Sequence, residues 1–544
     1  MSLAELEISP QTAALDDAHM GDIQGALGTV RKGDHGPRAG WRARLTTLLA
    51  IIGPGLIVMV GDNDAGAFGT YTQAGQNYGI TLLWTLPLLI PVLYVNQEMV
   101  LRLGAVTGVG HARLILERFG KFWGAFSVID LFLLNALTIM TEFIGISLAL
   151  DYLGVPRLWG VSAAALLVMA AAGTGNFRRF ERFSLILVAG SLLLVPVFLM
   201  VHPPYGQIAQ ALVRPGLPAH APLGDVMLLI IAIVGTTIAP WQLFFQQSYV
   251  IDKRITPRFI RYERIDLWLG IALVVTGAVA MMAFAAAAFA GKPEFGHFAD
   301  AGAVAAGLEK YAGHAAGVMF ALALIDACII GASAVSLSTA YAIGDVLSLK
   351  HSLHRRPADA KAFYAVFFGL IVLSAALVLT PGMPLGLITN AVQTLAGVLL
   401  PSATVFLLLL CNDKAVLGPW ANGRALNLFT GGVIAMLVML SVILTAAVLY
   451  PQITGGQILL ILGGGSLVAL AGAAAGLARR KDDDAVAMPD RRQRETWRMP
   501  PLAQLPPRHF AGWHRAWMAV LRLYLIVAGG LVLLRIIQLA TTRM

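Results

Sequence analysis

Twelve apolar segments, each long enough to cross a lipid bilayer, recur along this chain. They lie at about 46–71, 79–103, 122–150, 158–174, 181–201, 225–251, 266–290, 315–346, 362–380, 386–411, 425–450 and 457–478. Crossing the hydrocarbon takes about 20 residues of helix, and a helix satisfies every backbone polar group within its own segment. The pattern predicts an all-α polytopic membrane protein, with the bilayer as its partner. Composition agrees: 58% of the residues are apolar and 13% charged. The net charge of +9 would suit nucleic acid, but the Lys and Arg sit in short connections between spans, mostly after even-numbered ones. Charges placed that way are topology signals, so nucleic acid is excluded as a partner and the N-terminus is expected in the cytosol.

The first 40 residues are polar, with no apolar run of the kind a signal peptide carries, and 1–45 reads as a cytosolic tail. Spans within 425–478 follow a core at 46–411. A polar, Pro- and Arg-rich linker occupies 479–511, and 512–544 holds one more candidate helix at 513–540, interrupted by Arg522 and Arg535. Cys328 and Cys411 lie in apolar segments without a CxxC partner and read as packing residues. Trp41 and Trp123, near span ends, read as interfacial anchors.

The first span contains Gly61-Asp62-Asn63-Asp64-Ala65-Gly66-Ala67. A charge at that depth costs ~2.5–3.5 kcal/mol or more unless something cationic or aqueous meets it, which makes the pair a functional-site hypothesis. Small residues around it let the helix break and turn peptide groups toward the same spot. The sixth span has its own interruption, Gly235-Thr236-Thr237-Ile238-Ala239-Pro240-Trp241, where proline removes a donor and clashes with the preceding turn. The two breaks fall at corresponding positions of two five-span halves of opposite orientation, about 46–201 and 225–411. Paired broken helices in inverted repeats point to a transporter's midplane site.

Gly53-Pro54-Gly55 through Asp64-Ala65-Gly66-Ala67, Gln97 with Arg102-Leu103-Gly104 and Val106-Thr107-Gly108, Glu142-Phe143-Ile144-Gly145, Gly235 through Pro240, and Gln393 eight residues before Pro401 occur in this order. Together they resemble the Nramp family of divalent-metal transporters over roughly residues 45–450. The resemblance implies a LeuT-like fold with two inverted five-helix repeats, discontinuous helices 1 and 6, extra C-terminal helices, and a metal site between the two breaks. It also implies a multi-pass protein of the bacterial inner membrane, whose metal is a transported substrate rather than a cofactor. The expected site comprises Asp64, Asp62, Gly61, Ala67, Thr236, Thr237, Ala239 and Gln393. Gly61 and Thr236 would contribute backbone carbonyls, and Gln393 would bond to a coordinated water or to another helix.

The chain departs from the family pattern where it matters. Asp-Pro-Gly-Asn becomes Asp64-Ala65-Gly66-Ala67, and Met-Pro-His becomes Ala239-Pro240-Trp241. Losing the thioether removes a soft ligand that favours later transition metals, and two alanines leave room for the waters that Mg²⁺ keeps. Asp62 adds a second hard oxygen. These features resemble the family's magnesium-transporting branch, so Mg²⁺ is the expected substrate, accompanied by Mn²⁺. Two residues from Asp64 on a helix, Asp62 would face elsewhere, so it reaches the same ion only if the backbone is extended there; otherwise it lines the entry path. Positions that hold titratable groups in proton-coupled relatives are Trp241, Gln246 and Ile139 here, and no histidine lies deep in a span. Glu142 remains, with a slight edge to a structural role, and the expectation is uptake without protons.

Asp130 and Asp326 have no partner legible in the sequence, while Glu98 and Arg102 are spaced to pair on one helix face. Two other readings fit the residues less well. An amino-acid or organic-cation carrier on this fold would not want two aspartates in its first break. An enzyme or metal sensor finds no nucleophile–base pair, HExxH or P-loop within the spans and no folded output domain.

Overall fold

The computed structural model describes residues 16–34, 36–219, 221–381, 385–450, 453–478 and 494–507, with isolated positions between 519 and 534. Each of the twelve predicted spans corresponds to a helix or a chain of helices. The first is α1 (Trp41–Ile51), α2 (Pro54–Val60) and α3 (Ala65–Tyr78), and the next four are α4 (Thr85–Thr107), α6 (Lys121–Tyr152), α7 (Arg157–Ala172), and α8 (Phe177–Gly190) continued by α9 (Leu194–Val201). The second half consists of α11 (Leu223–Thr237) with α12 (Pro240–Asp252), then α13 (Ile260–Phe289), α15 (His314–Val346), α16 (Lys361–Val378) and α17 (Leu385–Cys411). Short helices α5 (His111–Phe119), α10 (Tyr205–Val213), α14 (Ala301–Ala312) and α18 (Lys414–Leu417) lie in connections, and α19 (Arg424–Leu449) and α20 (Gly455–Ala478) follow the core. Among the described residues, nine helices or continuous helix pairs are long and apolar enough to cross a membrane. The bent pair α1–α2 passes the same test, as does the end of α17 taken with α18 and the turn after it.

The halves exchange partners in a matching way. The second member of each half packs on the broken member of the other, α13 along α2 and α3, and α4 along α12. The third members, α6 and α15, pack on each other, while α17 lies on α6 and α8–α9 lies on α15. This arrangement buries both breaks in the middle of the bundle.

The first span is broken twice. Beyond the predicted interruption at 61–64, the chain turns at Gly53 and bends by 51° between α1 and α2. Gly53 has φ +152°, which disfavours a side chain, and a Cβ there would run into Glu181. Pro54 opens α2 at a position where its missing N–H costs nothing. A buried carboxylate from α13 supplies the acceptor that the new helix start needs: Asp266 accepts from Gly53 N at 3.1 Å and Gly55 N at 2.6 Å. On the other side of the bend, Lys253 Nζ donates to Ile51 O at 2.6 Å, Ile52 O at 2.8 Å and Glu181 Oε1 at 2.7 Å. Both charged side chains are fully buried.

Residues 16–34, within the segment expected to be a cytosolic tail, fold against this end of the bundle. Ile23–Gln24 and Thr29–Val30 form a short antiparallel ribbon. At its turn Ala26 N donates to Glu181 Oε2 at 2.5 Å. Arg178, Arg182, Arg254 and Arg258 donate to backbone carbonyls along the segment, and Arg355 pairs with Asp16 at 2.8 Å. Within the linker, the described residues 494–507 pack on the core: Trp420 Nε1 donates to Arg494 O and Met499 N to Val106 O. Most of the predicted helix 513–540 lies outside the described residues, although Arg522 stands over the Phe122 ring and Tyr524 OH meets Ser441 Oγ at 2.7 Å. Trp41 is exposed as an anchor should be, but Trp123 is buried against Phe406 and serves packing instead. Cys328 and Cys411 are buried free thiols.

Candidate metal site

Asp64 is the N-cap of α3. Its extended backbone ends the break, and its Oδ1 accepts from Ala67 N at 2.9 Å. The cap uses an N–H that would otherwise be orphaned, and the positive end of the α3 dipole favours a negative group there. Opposite, α11 stops at Thr237 because residues before a proline are pushed out of the helical region. Ile238 and Ala239 are extended, and Pro240 opens α12. The last carbonyls of α11 therefore lack the donors a continuing helix would bring.

Two contacts tie the breaks together. Thr237 Oγ1 meets Tyr71 OH of α3 at 2.6 Å. Asp62 lies in the turn after α2, where Asp62 N donates to Met59 O, and its side chain faces α12, with Oδ1 accepting from Gln242 Nε2. Gln242 in turn accepts from Gln97 Nε2 of α4 at 3.0 Å. Asp62 thus sits in a turn rather than in an extended stretch, and its side chain faces the second break. Gln242 was missed in the sequence; its position two residues after the proline was the available signal.

Several buried polar atoms around this junction have no protein partner: Asp62 Oδ2, Thr236 Oγ1, Trp241 Nε1 and both amide atoms of Gln246. Buried polar atoms are nearly always paired, by protein, water or ligand. Their concentration at the junction of two broken helices suits a hydrated guest. Ala67 is fully buried and Ala239 partly so, and neither fills the space with a donor atom. Among the described residues no three His, Cys, Asp or Glu side chains converge as a metal-ligand group. Any cation here would rely on few carboxylates, carbonyls and water. Gln393 falls in α17, and its side chain lies outside the described residues.

Glu142 is closer to the chemistry than its sequence reading gave it. Its Oε2 accepts from Ala65 N at 3.2 Å, and its carboxyl lies within hydrogen-bonding reach of the Asp64 carboxyl. Asn63 turns away to α13, donating to Val274 O at 3.2 Å. Asp130 lines a cleft with Pro240, Phe244 and Phe406, and Ser402 donates to it at 3.4 Å. Asp326 lies against Gly190 at the end of α8, apart from the breaks. Glu98 and Arg102 pair at 3.2 Å as the spacing predicts, and Arg264 adds a second bond to Glu98 at 2.6 Å.

Paired broken helices, crossed inverted repeats and a buried acidic junction define a membrane transporter of LeuT-like architecture. Residues 55–447 match the natural resistance-associated macrophage protein-like family, Nramp, and the chain belongs to it. A divalent metal cation transporter MntH of Ralstonia nicotianae is 33% identical over 397 residues, covering 69% of this chain and 86% of that protein. A Burkholderia ambifaria protein of the same name is 29% identical, over 78% and 93% of the two chains. Among solved structures, the Eremococcus coleocola manganese transporter superposes with a TM-score of 0.62 at 20% identity, covering 82% of this chain and 96% of the other.

Proposed function

We propose that this protein carries divalent metal cations across a membrane, binding them between the two broken helices, with Mg²⁺ as preferred substrate and Mn²⁺ accepted. The observation that carries the reading is the junction itself. Asp64 and Asp62 lie at the meeting of the two breaks, where Ala67 and Ala239 stand in place of the family's asparagine and thioether and where several buried polar atoms lack a protein partner. A site built of hard oxygens with room for water suits an ion that sheds its hydration reluctantly. Asp64 is the direct ligand, and carbonyls near Gly61 and Thr236 complete it. The N-terminal face, rich in Lys and Arg, is cytosolic in the bacterial inner membrane.

Uptake needs no proton in this reading, because Trp241, Gln246 and Ile139 cannot relay one. A divalent ion entering a negative interior gains ~4.6 kcal/mol per 100 mV. The place of Glu142, whose Oε2 accepts from Ala65 N next to Asp64, favours a second reading, in which metal binding at Asp64 displaces a proton held there. Proteoliposomes distinguish the two. Uptake of Mg²⁺, Mn²⁺ and Ca²⁺ is compared while a trapped dye reports lumenal pH, with potential clamped by potassium and valinomycin. Mg²⁺ flux without acidification is expected. Acidification in proportion to metal entry would establish the proton-coupled reading, and absence of Mg²⁺ flux beside strong Mn²⁺ flux would overturn the substrate assignment.

A further inference from the structure

The chain Gln97–Gln242–Asp62 runs from α4 through α12 to the turn after α2, and all three side chains are polar and buried at the centre of a membrane protein. Such residues are expensive at this depth and tend to be functional. Each link has a direction. Gln97 Nε2 donates to Gln242 Oε1 at 3.0 Å, which leaves the Gln242 NH₂ end to donate to Asp62 Oδ1. Asp62 Oδ1 is thus occupied by a neutral donor while Oδ2, equally buried, has none. Asp64 differs: its carboxyl caps α3 and touches Glu142. The two aspartates are therefore held in different ways by different helices.

We infer that Gln242, oriented by Gln97, positions Asp62 so that Oδ2 accepts hydrogen bonds from the water shell of the cation, and that this pair selects for a hydrated ion. An amide can fix a carboxylate without competing for the metal, because its NH₂ is a donor and binds no cation. A lysine or arginine in the same place would neutralise Asp62 and repel the substrate. Alanine at 67 and 239 gives the shell its room, and Asp62 gives it an acceptor. This inference rests on the proposed metal site, and it assigns Gln242 and Gln97 as positioning residues rather than ligands.

The probe is hexaamminecobalt(III), a cation whose ammine shell does not exchange, so a site can hold it only through hydrogen bonds to that shell. Its inhibition of Mg²⁺ and of Mn²⁺ uptake is measured in proteoliposomes for the full-length protein and for Asp62→Asn, Gln242→Leu, Gln242→Asn and Gln97→Leu. Removing an outer partner of a metal site commonly costs about 10–100-fold. Asp62→Asn and Gln242→Leu are therefore expected to weaken hexaamminecobalt(III) inhibition and to raise the half-saturating Mg²⁺ concentration about tenfold. The half-saturating Mn²⁺ concentration, for an ion that dehydrates more readily, should move much less. Gln97→Leu should show the same pattern more weakly, and Gln242→Asn should recover part of the loss. Equal changes for both metals, or unchanged inhibition by the cobalt complex, would overturn the assignment. If the wild-type protein carries Mn²⁺ but not Mg²⁺, the substrate proposal fails while competition against Mn²⁺ still decides the role of Asp62.

Discussion

Replacing Lys253 by methionine is expected to destabilise the protein by about 4 kcal/mol. The ammonium is fully buried and all three of its hydrogens are used, on Ile51 O, Ile52 O and Glu181 Oε1. Breaking a buried ion pair by removing one partner costs ~3–5 kcal/mol, because the remaining charge has lost its counterion. Of its two printed partners Glu181 would keep Ala26 N, and the nearby Glu263 and Asp266 would lose the cation of Lys253. Two carbonyls at the end of α1 would also lack a donor, worth ~1–3 kcal/mol each if water cannot enter. Methionine recovers most of the apolar stem, protonation of Glu181 limits the charge term and water can reach the freed carbonyls, so the expectation stays within the ion-pair range rather than the full sum. The assay is unfolding of purified protein in dodecylmaltoside micelles titrated with SDS, with Glu181→Gln and the double variant completing a cycle. The double variant should be more stable than Lys253→Met alone, since neutralising Glu181 removes the unpaired charge. A Lys253→Met loss under about 1 kcal/mol, or strict additivity with Glu181→Gln, would refute the buried-pair reasoning.

Asp64→Asn should keep the α3 cap, as asparagine caps about as well as aspartate, yet drop Mg²⁺ uptake to the protein-free background; retained flux in a folded variant would show that capping is its whole role. Ala239→Met should shift competition in favour of Mn²⁺ and Cd²⁺ over Mg²⁺ by restoring a soft ligand, measured as the concentration of each that halves uptake of the other. On the N-terminal face, burial by itself would lower the pKa of His351, but the Asp345 carboxylate 3.1 Å away raises it to about 9. A folded-state value above the unfolded ~6.5 means stabilisation that is complete below pH 6.5 and fades as pH rises through 9, about 3 kcal/mol in all. Thermal unfolding of the wild-type protein should weaken over that window, and His351→Gln should remove the slope.

The sequence alone determined the class of protein and the location of both breaks. Apolar runs of bilayer length leave a chain few folded alternatives, and the breaks are written locally: Pro240 forbids a continuous helix, and the acidic, small-residue stretch at 61–67 disfavours one. The i, i+4 pairing of Glu98 with Arg102 was legible for the same reason, since both partners lie on one helix. What the sequence did not show are bonds between residues far apart in the chain. Nothing near Gly53 announces that Asp266, more than 200 positions later, caps the helix start there. Nor does the polar composition of 16–34 reveal a segment fastened to Glu181 and five arginines. Glu142 looked solitary along α6 and stands beside Asp64 only because α3 and α6 pack together. Asp62 faces Gln242 because the chain turns between α2 and α3, and a pattern of spacing along one helix carries no information about that turn. Periodicity and local breakers act over a few residues and can be read in order. The pairing of buried polar groups is decided by which helices pack together, and that is settled only when the two halves close on each other.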